Sequence, residues 1–223
     1  MKLFIDTADL DEIQEIASWG VLSGATTNPS LLAKQGGRPE DVLKQICQLV
    51  DGPVSAEVVA TEHKAMIEQG EALAEIHPNI VIKVPITVEG LKAVHTLSSK
   101  GIACNVTLIF SVPQAILAAR AGARFVSPFV GRLDDRGAEG MDLVREMAEA
   151  FAVAGIETEI ITASVRHPRH VVEAALAGSH IATLPPDTFR KMIQHPLTDM
   201  GLEAFMKAWK ERFGDRDIAR KEL

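Results

Sequence analysis

No tyrosine occurs in the chain, and phenylalanine and tryptophan together make up only 4% of it. The core must therefore be built of alanine, valine, leucine and isoleucine, as in alternating α/β folds. Cysteine is nearly absent too. Cys47 and Cys104 sit in apolar contexts with neither CxxC nor zinc-ligand spacing. They read as buried free thiols in a reducing compartment rather than a disulfide or a metal site. There is no excess of basic charge, since 23 lysines and arginines stand against 30 aspartates and glutamates, for a net charge of -7. That argues against general attraction to nucleic acid or to an anionic membrane. An anionic substrate would have to be held by a local cluster of arginines. No apolar run approaches the ~20 residues needed to span a bilayer, and Asp6 comes too early for the apolar region of a signal peptide. The expectation is a cytoplasmic protein.

What is present is alternation. Short β-rich apolar runs occur at residues 2–6, 24–28, 53–58, 80–84, 103–108, 124–129, 157–163 and 180–185, each followed by a helix-like segment. The helical segments carry recognisable ends. "TADLDEIQEIASWG" offers Thr7 or Asp9 as N-cap and Gly20 as terminator, and "SVPQAILAARAG" opens at Ser111 before Pro113. "RHPRHVVEAALAG" has Pro168 in its first turn and Gly178 past its end, and an additional amphipathic helix is expected over residues 197–215. No linker or charge run divides the chain, so one domain over residues 1–223 is expected. Repeated β-then-α units require a parallel sheet, which closes most naturally into a (β/α)8 barrel. A doubly wound open sheet is the rival, but no GxGxxG follows the first strand. The weakest strand is the short, polar "GATTN".

In such barrels chemistry is built where the strands end, and the polar residues fall there. Asp6 ends the first strand, Thr27 and Asn28 the second, and Glu57 lies near the end of the third. Lys83 is in the fourth, Asn105 and Thr107 in the fifth, and Ser127 in the sixth with Arg132 just beyond, while Ser164 and Arg166 follow the seventh. Each has a structural alternative. Asp6 could cap the next helix, Asn28 could shape the turn before Pro29, and a one-residue slip would turn Glu57 outward. Thr107 and Ser127 could be satisfied core hydroxyls, and Arg132 a solvated loop residue. Lys83, inside the apolar run "VIKVPIT", is the sharpest case. Either it forms an ion pair with Glu57 or Asp6 that fixes the barrel, or its amine attacks a carbonyl while the carboxylates move protons. The "TASVRHPRH" stretch combines a serine, an arginine and a helix N-terminus, which together suit an anion such as a sugar phosphate. His167 and His170 have the spacing of a metal pair but no third ligand in view; a solvated helix start is the plainer reading.

These residues carry a resemblance. "FIDTADLDEI", "GATTNPSLL", "VSAEVVA", "VIKVPIT", "SPFVGR" followed by "DD" after one residue, and "ITASVRHP" resemble the transaldolases of small bacterial and archaeal type and their relatives, the fructose-6-phosphate aldolases, along nearly the whole chain. The resemblance implies a (β/α)8 barrel in which Lys83 forms a Schiff base with a ketose and Asp6 serves as acid/base. It implies that Glu57 and Thr107 hold a proton-relaying water and that Asn28 and Ser127 bind the dihydroxyacetone unit; Thr27, Asn105 and Phe129 are further candidate substrate-binding residues. Arg132, Ser164 and Arg166 would hold the phosphate. It implies no metal or other cofactor, phosphorylated ketose and aldose substrates, and a homo-oligomer, often a decamer built of pentamers, with the C-terminal helix reaching a neighbour. The implied reaction moves dihydroxyacetone from sedoheptulose 7-phosphate to glyceraldehyde 3-phosphate, in the non-oxidative branch of the pentose phosphate pathway. Within the resemblance, transferases carry a glutamate and a phenylalanine where the aldolases carry glutamine and tyrosine; this chain has Glu57 and Phe129. The alternatives are an aldolase that releases free dihydroxyacetone and, from another class, a non-catalytic sugar-phosphate-binding barrel.

Overall fold

The computed structural model describes residues 1–218. Eight parallel strands close into a barrel: β1 (Lys2–Asp6), β2 (Ala25–Thr26), β3 (Val54–Glu57), β4 (Ile80–Pro85), β5 (Cys104–Ile109), β6 (Phe125–Pro128), β7 (Glu159–Thr162) and β8 (Ile181–Leu184). Closure comes from β1 pairing with β8, where Lys2 stands opposite Ile181. The helices around it are α1 (Leu10–Ala17), α2 (Pro29–Leu32), α3 (Pro39–Leu49), α4 (His63–Ala74), α5 (Val88–Ser99), α6 (Val112–Arg120), α7 (Val130–Asp134), α8 (Gly140–Ala154), α9 (Pro168–Leu176) and α10 (Pro186–Ile193). A last helix, α11 (Pro196–Phe213), follows the barrel.

Side chains two apart on a strand share a face, and here that rule divides the barrel interior into two storeys. Phe4, Val81, Phe125, Ile161 and Ile181 form a buried cluster of their own, separate from the larger core between strands and helices. Two residues further along the same strands stand Asp6, Lys83, Ser127 and Thr183. The apolar storey plugs the barrel and the polar storey above it becomes the floor of a site rather than a section of pore.

The differences from expectation have local causes. The second strand keeps only Ala25 and Thr26 of the five residues 24–28. Asn28 instead turns its side chain to accept from Leu31 N–H at 3.0 Å, opening α2, and Pro29 has no N–H to give a ladder. The fifth strand runs on to Ile109 through an irregularity in which Leu108 takes φ 61°, the extra residue of a bulge. Arg132 lies on a short helix, α7, rather than on a loop. On α11, Leu202, Phe205 and Met206 are exposed, and the helix has no buried residue. No helix among the described residues is long and apolar enough to cross a membrane.

Candidate active site

A cavity of about 170 Å³ opens at the strand C-termini, floored by Asp6, Lys83, Ser127 and Thr183. Lys83 is 4% exposed. Its Nζ lies 2.9 Å from Glu57 Oε2 and donates to the Thr27 carbonyl at 3.0 Å. The ladder explains the pairing, because Glu57 is the register partner of Lys83 on the neighbouring strand and both point inward. Two acceptors for three ammonium hydrogens fix the amine while leaving one N–H direction toward the cavity.

Asp6 enters from β1. Thr26 Oγ1 donates to its Oδ1 at 2.8 Å, and Thr183 Oγ1 stands 2.6 Å from Thr26 Oγ1. A hydroxyl has one hydrogen, so with Thr26 committed to Asp6 the second bond must run from Thr183 to Thr26. Burial pushes the Asp6 carboxyl above the ordinary carboxylate range, helped by the charge of Glu57. The Lys83 ammonium and the Thr26 hydrogen bond act against it without cancelling it. A carboxyl so placed takes and returns protons more readily near neutrality than a free one.

Ser127 Oγ donates to Asn105 Oδ1 at 2.8 Å, and Asn105 Nδ2 donates to Ser55 Oγ at 3.1 Å. This chain passes across the barrel at the level of Lys83. The Thr107 hydroxyl is fully buried, does not line this cavity, and has no hydrogen-bond partner among the described residues, so it is not a satisfied core hydroxyl.

The rim is cationic. The Arg132 guanidinium lies over the Phe129 ring, 4.8 Å from its centroid, and Phe110 meets that ring edge-on at 6.1 Å. Arg166 Nη2 donates to Asp135 Oδ2 at 2.8 Å, both side chains more than half exposed. A pair so exposed is worth less than about 1 kcal/mol, so an anion entering the cavity can take the guanidinium over. Val130 and Gly131 donate their backbone N–H groups to the carbonyls of Ala163 and Ser164 at 3.1 and 3.2 Å, bringing Arg132 beside the strand-seven loop. A side chain at Gly131 would collide with the Ser164 carbonyl and with Arg166, so glycine permits this approach. His167 caps α9 by accepting from His170 N–H, and His170 is buried.

Of the residues expected from the sequence, Asp6, Asn28, Lys83, Ser127, Phe129, Arg132, Ser164 and Arg166 all line this one cavity. Glu57 joins through Lys83 and also borders a larger hollow of about 600 Å³ walled by Leu32, Leu43, Leu73 and Ile76. Thr27 and Asn105 stand behind the wall. The Thr27 hydroxyl donates to the Ser55 carbonyl at 2.8 Å; only its backbone oxygen reaches Lys83. Sequence reading missed Thr26 and Thr183, which line the cavity and hold Asp6. The two-residue step from Ile181 to Thr183 would have found the second.

The family model described as "Transaldolase/Fructose-6-phosphate aldolase" matches residues 3–219. A probable transaldolase of Symbiobacterium thermophilum is 59% identical over 214 residues, covering 96% of this chain and 99% of that one. Probable transaldolases of Alkaliphilus metalliredigens and Bacillus cereus are each 58% identical, over 94% and 95% of this chain and 98% of theirs. The chain belongs to the transaldolase/fructose-6-phosphate aldolase family.

Proposed function

We propose that the protein is a transaldolase that carries a dihydroxyacetone unit between sugar phosphates on Lys83. The observation that carries the reading is the buried amine of Lys83, held against Glu57 and sharing one cavity with Asp6. The amine adds to the C2 carbonyl of the ketose, and the carbinolamine loses water to give a protonated imine. Glu57 and Thr107 serve that step by holding the water through which protons pass. Asp6 as carboxylate takes the proton of the C4 hydroxyl. The C3–C4 bond breaks, its electron pair moves into the imine to form an enamine, and the aldose leaves. The enamine attacks an acceptor aldehyde, Asp6 returns its proton to the new C4 oxygen, and hydrolysis frees Lys83.

Asn28 and Ser127 contact the three-carbon unit, while Arg132, Ser164 and Arg166 hold the phosphate by charge-assisted hydrogen bonds. Phe129 has no hydroxyl with which to protonate and release the enamine, which favours transfer over release. The reaction assigned is sedoheptulose 7-phosphate plus glyceraldehyde 3-phosphate giving erythrose 4-phosphate plus fructose 6-phosphate, within the pentose phosphate pathway. Fructose 6-phosphate incubated with erythrose 4-phosphate is expected to turn over, with ping-pong kinetics, and to release little dihydroxyacetone when the acceptor is omitted. Abundant free dihydroxyacetone without acceptor would make the protein an aldolase instead.

The working form is proposed to be cytoplasmic, a single barrel domain assembled into a homo-oligomer, in keeping with the decamer implied by the resemblance. In support, α11 leaves Leu197, Leu202, Phe205 and Met206 exposed, a concentration of apolar surface that marks an interface. Sedimentation of the full chain should give a multiple of the 24.1 kDa monomer mass; a monomer at micromolar concentration would reject the assembly.

A further inference from the structure

The rim arginines sit on different segments, Arg132 on α7 and Arg166 on the loop between β7 and α9. If both are to meet one phosphate, those segments must be held in register. A single imidazole links them. The backbone N–H of Arg166 donates to His170 Nδ1 at 3.3 Å. A ring nitrogen that accepts carries no proton, so the proton is on Nε2, which lies 3.1 Å from Asp134 Oδ2 and donates to it. Asp134 is itself fixed, because its Oδ1 accepts from Gly140 N–H at 2.8 Å. His170 is 7% exposed, and its ring packs on that of His167 with centroids 3.8 Å apart. The same loop holds Ser164 at φ 60°, a conformation non-glycine residues avoid unless their surroundings impose it.

We propose that His170 is a positioning residue for the phosphate: a neutral imidazole that ties the loop carrying Ser164 and Arg166 to the helix carrying Arg132. The inference rests on the function proposed above, in which those three side chains hold the phosphate. His170 touches no substrate; it acts through the Arg166 backbone on one side and through Asp134, two residues beyond Arg132, on the other. Asp135, next along the chain, meets the Arg166 guanidinium in an exposed pair, so only the His170 contact ties the Arg166 backbone firmly. Alanine at position 170 would leave a buried N–H and a carboxylate without their partner. Glutamine offers one acceptor and one donor, the same two functions as the neutral ring.

The test compares fructose 6-phosphate with unphosphorylated fructose as donor, glyceraldehyde as acceptor, and inorganic phosphate as competing inhibitor. His170→Ala is expected to raise the KM for fructose 6-phosphate and the inhibition constant of phosphate roughly tenfold, the size of one lost hydrogen bond to a charged group. Its kcat and its KM for fructose should stay near those of the wild type, and His170→Gln should recover most of the phosphate affinity. A parallel rise in KM for fructose, or unchanged phosphate affinity in His170→Ala, would overturn the role. If His170→Ala does not fold, Asp134→Asn keeps an acceptor for the Gly140 N–H while removing the carboxylate oxygen that accepts from Nε2–H, and it carries the same expectations and the same overturning results. A wild-type enzyme that prefers fructose 6-phosphate no more than fructose would instead overturn the phosphate site itself, so the two failures are told apart.

Discussion

Lys83→Ala is expected to give a folded barrel with no measurable transfer activity and no adduct when fructose 6-phosphate and borohydride are added. The wild type should yield a reduced adduct that maps to Lys83. Enzymes accelerate reactions at least ~10⁶-fold, and a mechanism that runs through a covalent imine has no second route once the amine is gone, so activity should fall to background. The competing account treats the Lys83–Glu57 contact of 2.9 Å as a structural ion pair. Breaking a fully buried pair costs roughly 3–5 kcal/mol, because the remaining charge is stranded. Glu57 is less isolated than that, since its side chain keeps 14% exposure and borders a hollow. The barrel should therefore survive, at reduced stability. Lys83→Arg separates the accounts further. It preserves a cation for Glu57 but cannot form an imine, so a structural pair predicts rescue and a nucleophile predicts none. Circular dichroism reports the fold, and mass spectrometry after reduction reports the adduct. An adduct on another lysine, or activity in Lys83→Arg, would remove Lys83 from the centre of the mechanism.

How far the sequence disclosed this site depends on the residue. Lys83 stood out because a charge inside an apolar strand has few bland explanations, and the structure gives it a carboxylate, a carbonyl and a cavity. The barrel followed from repeated β-then-α units alone. Thr26 was hidden for the opposite reason, and Thr183 showed only through its two-residue step from Ile181. Threonine is a common strand residue, and only register reveals which face it takes. The second strand is shorter than its run of small polar residues suggests, because such a run fits strand and turn equally and Pro29 ends the pairing. His170 was read beside His167, its neighbour in sequence. Its partners Asp134 and Arg166 come together only when the ends of β6 and β7 are adjacent. The apolar stripe of α11 was legible as a stripe, but what covers it depends on where the helix points, which no local pattern encodes.

Asp6→Asn is expected to lose activity while gaining stability at neutral pH, and the two effects share one cause. In the proposed mechanism the carboxylate, as general base, accepts the C4 hydroxyl proton during cleavage. An amide cannot, and losing a positioned acid/base group costs roughly 10²–10⁴-fold in rate. The imine should still form, so the variant ought to be trapped by borohydride on Lys83 while failing to release aldose. That pattern separates Asp6 from the nucleophile. The stability effect follows from linkage. Burial raises the Asp6 pKa above its ordinary 3.8, so the folded state binds this proton more tightly than the unfolded chain does. The protonated form's contribution to stability is fully present below about pH 3.8 and is lost as pH rises through the elevated folded value. At neutral pH the unfolded chain holds Asp6 ionised, whereas the folded site disfavours that charge by desolvation more than the attraction of Lys83 and the Thr26 hydrogen bond favour it. Asparagine removes that charge while keeping an acceptor for Thr26 Oγ1. Thermal unfolding should show Asp6→Asn melting above the wild type near pH 7, with the gap closing on acidification toward pH 4. A variant that melts lower at neutral pH would mean that the Lys83 attraction dominates, and that Asp6 serves the fold rather than being tolerated for the chemistry.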